Sequence, residues 1–173
     1  MGDKRKVYLE EHNPEWKNKY LEEEEKIKGI FGGQLENSYH IGSTSISGIK
    51  AKPVIDILLE VKDIHEVDRL NNAMEQLGYE AMGEHGIEGR RFFRKGGNNR
   101  THHIHVFEKG NSEIKRHVNF RDYMRAHPEE ARKYESLKAE LAQKYCDDME
   151  KYAESKSEFI REMDRKAELW LFH

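Results

Sequence analysis

Residues 40–61 read HIGSTSISGIKAKPVIDILLEV, and the two halves of this stretch ask for different backbones. From Pro53 to Val61 the chain alternates as a strand. Ile55, Ile57, Leu59 and Val61 make one apolar face that must lie against helices, whereas Val54, Asp56, Leu58 and Glu60 make the other, half of it acidic. Asp56 is therefore expected to point away from the main core, as a cleft residue does. Ahead of the strand, Gly42-Ser43-Thr44-Ser45 is a turn of small and hydroxyl-bearing residues. Such residues let a backbone approach an anion closely, and a helix starting at Ser43 to Ser45 would aim free N–H groups at it. The expectation is a phosphate site in which Gly42, Ser43 and Thr44 grip the anion, Lys52 balances its charge, and Asp56 holds a cation beside it. The plainer reading of the same turn is a glycine and a hydroxyl cap that only shape the chain.

Working outward toward the N-terminus, Glu36 to Ile41 reads as a short strand, and Gly32-Gly33 ends the helix before it. That helix starts at Asn13-Pro14-Glu15, with Asn13 capping and Pro14 in the first turn. Trp16, Tyr20, Ile27 and Phe31 form its apolar stripe, and Glu22 to Glu25 read as a solvated face. Toward the C-terminus, Asp63-x-x-Glu66 has the form of a capping box. The helix it opens carries Val67, Leu70, Met74 and Leu77 and ends at Gly78; with the strand Tyr79 to Met82 it completes a βαβ-like unit. Arg90 to Arg94 and Thr101 to Phe107 read as a hairpin around Gly96-Gly97-Asn98-Asn99. In its second strand Ile104 and Val106 take one face and His103, His105 and Phe107 the other. If the apolar sides share one core, His103 and His105 emerge on the same side of the sheet as Asp56. His102, on the apolar face, reads as a hydrogen-bonded core residue.

Beyond Gly110 the pattern is helical: Ser112 to about Ala126, then Pro128 to Tyr145 with a seam of Ala131, Tyr134, Leu141 and Tyr145. A last helix, capped by Ser155-x-x-Glu158, carries Phe159, Ile160, Met163, Ala167 and Trp170 inward. In the first of these, His117 and Arg121 fall inside the apolar arc. Either that helix breaks near Asn119 or Arg121 faces inward, to meet an anion or a structural acid.

Only 36% of the 173 residues are apolar and 36% are charged, so the core is lean and many helices are wetted on one side. The length suits one domain, with a sheet-containing core over about 1–110 and a helical layer over about 111–173. A single cysteine, Cys146, excludes an internal disulfide and suits a reducing, cytoplasmic setting. The first sixteen residues hold no apolar leader segment, Lys6 stands where a myristoylation signal wants Ser or Thr, and no stretch approaches the roughly 20 residues that cross a bilayer. Between Arg90 and Arg125 ten Lys and Arg face three acids in a chain of net charge −3. A basic middle on an acidic body fits a small anion better than nucleic acid.

The residues His40, Ile41, Gly42, Ser43, Thr44, Gly48, Ala51, Lys52, Pro53, Ile55, Asp56 and Ile57 resemble the signature H-I-G-S-T-x-x-x-G-x-x-A-K-P-x-I-D-I of the GrpB family, within the nucleotidyltransferase superfamily. The likeness continues through Arg91-Phe92-Phe93, His103-Ile104-His105-Val106, Phe120-Arg121-Asp122-Tyr123, His127-Pro128-Glu129, Tyr134 and Leu137-Lys138, and spans most of the chain. It implies an α/β (α+β) fold, a nucleotidyltransferase-like mixed sheet backed by helices with a helical C-terminal layer, and a nucleotide or related phosphate compound as ligand. Arg121 would add a bidentate contact to that phosphate. In a transferase Asp56 would hold Mg²⁺, but the superfamily's second acid falls at Leu58. Glu60 lies one strand repeat further, about 6.5 Å along. GrpB-like domains also occur fused to dephospho-CoA kinase, so the resemblance equally implies a non-catalytic binding or folding-assistance module with that kinase as partner. A third reading takes Asp56 with His103 and His105 as a one-metal site for phosphoester hydrolysis, since imidazoles suit Zn or Mn better than Mg. Two half-exposed strand histidines are its plainer counterpart.

Overall fold

A computed structural model describes residues 8–171; the reading of residues 1–7, Lys6 included, lies outside them. Helix α1 (Glu15–Phe31) begins where Asn13 Oδ1 accepts the Glu15 N–H at 2.9 Å, and ends at Gly32, whose φ of 52° few side chains tolerate. Strand β1 (Leu35–Ile41) leads through Gly42 into a single 3₁₀ turn, Ser43–Ser45, and β2 (Ile55–Val61) follows. The turn is too short to be the expected helix. A seven-residue 3₁₀ segment, Ile64–Leu70, then passes into the short α2 (Asn71–Gln76), so most of the helix expected after Asp63 is wound more tightly than an α-helix. Asp63 still opens it, its side chain accepting the His65 N–H. Strands β3 (Tyr79–Ala81), β4 (Arg90–Lys95) and β5 (His102–Glu108) precede α3 (Ser112–Ala126), α4 (Pro128–Lys144) and α5 (Met149–Trp170).

The five strands form one mixed sheet in the order β1-β2-β5-β4-β3, with β2 and β5 parallel and the other pairs antiparallel. The expected βαβ-like unit is thus stretched: β2 and β3 run the same way, but the hairpin β4–β5 lies between them. The parallel pairing sets Asp56 beside His103 and Leu58 beside His105. On one face, Ile55, Ile57, Leu59 and Val61 of β2 join Ile104 and Val106 of β5 under Trp16, Ile27 and Phe31 of α1. Each aliphatic side chain so buried contributes about 1.5–3 kcal/mol. On the other, Leu58 and Phe107 pack with Ile41 and with Ile114 of α3. A third cluster ties the segment Ile46 to Ile49 to α3, α4 and α5 through Tyr123, Ala131, Tyr134 and Met163.

Two departures from the sequence reading matter for the site. Glu23, expected on a solvated face, is buried and accepts hydrogen bonds from Tyr79 Oη and Lys95 Nζ, each at 2.7 Å. Helix α5 starts at Met149 rather than near Ser155, because Asp148 caps it by accepting the Lys151 N–H. The extra residues bring Tyr152 onto its inner side, one turn before Lys156. Among the described residues no helix is long and apolar enough to cross a membrane.

Candidate functional site

Asp56 leaves β2 on the face away from α1, as the alternation requires, and His103 and His105 leave β5 on the same face. His103 Nδ1 and His105 Nε2 each lie 3.5 Å from Asp56 Oδ1. Burial alone would raise the Asp56 carboxyl, but the two imidazoles outweigh it and hold the group well below the usual carboxylate range. Its other oxygen lies against Gly42, where a Cβ would stand 2.6 Å from Oδ2 at a φ of 73°. The glycine at the turn therefore makes room for the protein's own carboxylate.

Around that carboxylate lies a hollow of about 120 Å³, bordered by the Ser43 turn and by side chains from α4 and α5. Lys138, 2% exposed, donates to Ser43 Oγ at 2.6 Å and to the Lys50 carbonyl at 3.3 Å, with its ammonium 4.7 Å from the centre of the Tyr134 ring. Lys52 and Lys156 reach the hollow from opposite ends of the sequence, their ammonium groups 5.2 and 4.8 Å from the Tyr152 ring. Burial first, and then the charges of Lys156 and Lys52, bring Lys138 down to about 7. Lys156 is lowered as well, again by burial. Neither Lys138 nor Lys156 has a carboxylate ion-pair partner among the described residues. The buried Tyr152 hydroxyl likewise has no hydrogen-bond partner among them. Three ammonium groups thus share one hollow with one carboxylate, which itself faces two imidazoles. Such an arrangement has room and charge for a phosphoryl-sized anion.

Of the residues expected from sequence, Gly42, Ser43, Thr44, Lys52, Asp56 and His103 line this hollow together, and His105 touches it through Asp56. Arg121 does not. Helix α3 is unbroken and does turn Arg121 inward, but onto the His40 carbonyl at 3.3 Å and the Asp122 carboxylate at 2.9 Å, at the wall of a different, larger groove. Arg91 pairs with Asp68 at 2.7 Å. Thr44 is buried, bonded to His40 Nε2 at 2.9 Å, and borders both cavities. Lys138, Lys156, Tyr134 and Tyr152 were missed as site residues. Lys138 stood in view as a lysine on the buried seam of α4, since Ala131, Tyr134, Lys138 and Ala142 face one way.

The metal readings meet a different fate. Asp56, His103 and His105 do come together, but both imidazoles approach the same oxygen. Among the described residues no three His, Cys, Asp or Glu side chains are arranged to hold an ion. The second carboxylate of a two-metal site is absent as well: Leu58 is fully buried in an apolar cluster, and Glu60 accepts a hydrogen bond from Asn37 at 2.6 Å. The carboxylate set of a two-metal site is therefore not gathered around Asp56.

A family model described as GrpB protein matches residues 6–166. UPF0157 protein YqkA of Bacillus subtilis (strain 168) is 46% identical over 167 residues, which cover 96% of this chain and 49% of that protein. The chain thus spans about half the length of YqkA. Glutamate-rich protein GrpB of Alkalihalophilus pseudofirmus is 36% identical over 93% of this chain and 95% of its own length. The crystal structure of conserved protein GrpB from Enterococcus faecalis matches 96% of this chain and 100% of its own at 40% identity, with a TM-score of 0.92.

Proposed function

The chain belongs to the GrpB family, and from that premise we propose that it binds a small phosphorylated ligand, of the nucleotide class, by a phosphoryl group placed between the Ser43 turn and helices α4 and α5. The observation that carries this reading is the charge of the hollow: Lys52, Lys138 and Lys156 gather there with Asp56, and Asp56 is already engaged by His103 and His105. Burying an ammonium group without a counter-ion costs several kcal/mol, and an entering phosphoryl group offsets that cost while accepting charge-assisted hydrogen bonds. A water molecule occupies about 30 Å³ of liquid, so the hollow has the volume of about four waters; it suits a phosphoryl group and leaves the rest of the ligand outside.

Lys138 is the residue on which binding turns. Its ammonium form attracts the anion and its neutral form does not, so the ligand draws a proton onto it. Ser43 Oγ, now the acceptor of that lysine's hydrogen bond, can donate its own proton to a phosphoryl oxygen. With Leu58 buried and Glu60 engaged, the carboxylate set supports binding rather than metal-dependent transfer.

The test is thermal denaturation in EDTA with phosphate, pyrophosphate and each of ATP, GTP, CTP and UTP. At least one should raise Tm, since a ligand that prefers the folded state stabilises it, and Lys138→Met should remove the rise that phosphate or pyrophosphate gives. No rise with any of the six, or an undiminished rise with phosphate and pyrophosphate in Lys138→Met, overturns the proposal.

A further inference from the structure

We infer that the groove between α1 and the α3–α4 corner is a second ligand site, separate from the hollow, for an organic polyphosphate carrying a planar ring. Its volume is about 1070 Å³, enough for a whole small molecule, whereas the hollow on the other side of Thr44 admits only a fragment. Lys17, Arg121, Arg125 and Arg132 line it, and its one lining carboxylate, Glu135, accepts the Lys50 N–H. Arg125 anchors its stem by donating Nε–H to the Ser45 carbonyl at 2.9 Å. Arg125, Arg132 and Lys17 make no ion pair among the described residues. Arginines on a convex surface would simply be hydrated. Here two unpaired guanidinium forks and an ammonium group border one concavity, and a guanidinium matches phosphate oxygens two at a time.

The residues along the groove wall bear on the same occupant. The buried His40 at the groove wall is brought down to about 4, first by burial and then by the charges of Arg125 and Arg121, against the opposing pull of Asp56. Burial is the chief cause, so the ring stands neutral at the wall. The buried Nδ1 of His12, also at the wall, has no hydrogen-bond partner among the described residues. Tyr39, half-buried beside the Arg121 guanidinium at 5.8 Å, offers a flat surface for a ring. A net charge of −3 disfavours a long nucleic acid as the occupant and leaves a compact polyanion.

The experiment measures fluorescence anisotropy of ribose-labelled mant-ATP with the full chain in EDTA and saturating inorganic phosphate. Mant-adenosine, which lacks the phosphates, serves as control, and circular dichroism of every variant checks folding. Mant-ATP should bind and mant-adenosine should not. The double variant Arg125→Ala/Arg132→Ala should lose fivefold or more in affinity while Lys138→Met stays within twofold of wild type. Should the double variant fold poorly, the single exposed change Arg132→Glu carries the same expectation. Absence of mant-ATP binding, a loss below fivefold in the arginine variants, or abolition by Lys138→Met overturns the inference. The two sites fail separately, because loss of phosphate binding in the hollow leaves the groove arm of the experiment intact.

Discussion

Two clusters of buried charge sit on opposite faces of the sheet, and they are built to opposite ends. On the α1 face Glu23 receives Tyr79 and Lys95 at 2.7 Å, with His102 Nε2 3.9 Å away. Burial would raise that carboxyl, yet the bonds from Lys95 and Tyr79 keep it below the usual range. Charge is matched by charge, and the space is filled. On the other face Lys138, Lys156 and Lys52 meet around a hollow with Asp56, which faces His103 and His105. A closed network holds the fold together, whereas one left electrically open with room inside holds something else.

This contrast can be broken or sharpened by experiment. Glu23→Ala should lower unfolding stability by about 3 kcal/mol in urea titration, because it strands the half-buried Lys95 and the buried Tyr79 hydroxyl, and should leave the phosphate-induced rise in Tm unchanged. Lys138→Met should do the reverse. Phosphate affinity falls tenfold or more, as expected for losing a charged hydrogen bond worth about 1.5–3 kcal/mol, with unfolding stability at pH 7 equal to or above wild type. Equal destabilisation by the two changes would erase the distinction.

Acidity sharpens it further. Lys138 sits at about 7 in the folded protein, against about 10.4 when unfolded. Between those values the unfolded chain binds a proton that the folded chain does not, so stability rises as pH rises through this window, by up to about 1.4 kcal/mol per pH unit from this group. Phosphate affinity should fall across the same interval, since the bound form needs the ammonium. Lys138→Met should flatten both slopes, which denaturant melts and calorimetric titration at several pH values will read. The smallest effect belongs to Arg91→Ala. Its pair with the half-exposed Asp68 lies at the surface, and its loss should cost under about 1 kcal/mol.

Where the sequence was legible, a single element's periodicity decided the answer. The alternation of β2 placed Asp56 opposite the core, and that of β5 placed His103 and His105 with it; the parallel register of the two strands brought them to 3.5 Å. Glu23 was misread because four consecutive glutamates look like a wet helix face, and only the approach of Lys95 and Tyr79 from β4 and β3 gives one of them a dry place. Arg121 was rightly turned inward, and of the two partners left open it meets a carboxylate, Asp122; a helical wheel gives direction but not the neighbour met there. The start of α5 was placed at the stronger-looking cap, Ser155-x-x-Glu158. The true cap, Asp148, lay in a segment read as a break, and Tyr152 went unseen with it.

By itself the sequence determined the strands, their inward and outward faces, the glycine at position 42 and the family, because period-two and period-3.6 patterns and turn chemistry act within a few residues. Only the tertiary structure decided that Lys138 and Lys156 come to Ser43 and that Arg121 does not. Those meetings join α4 and α5 to a turn some 95 positions away, as in the Lys138–Ser43 bond. No local pattern carries such a distance: it is set by how three helices pack against a sheet edge.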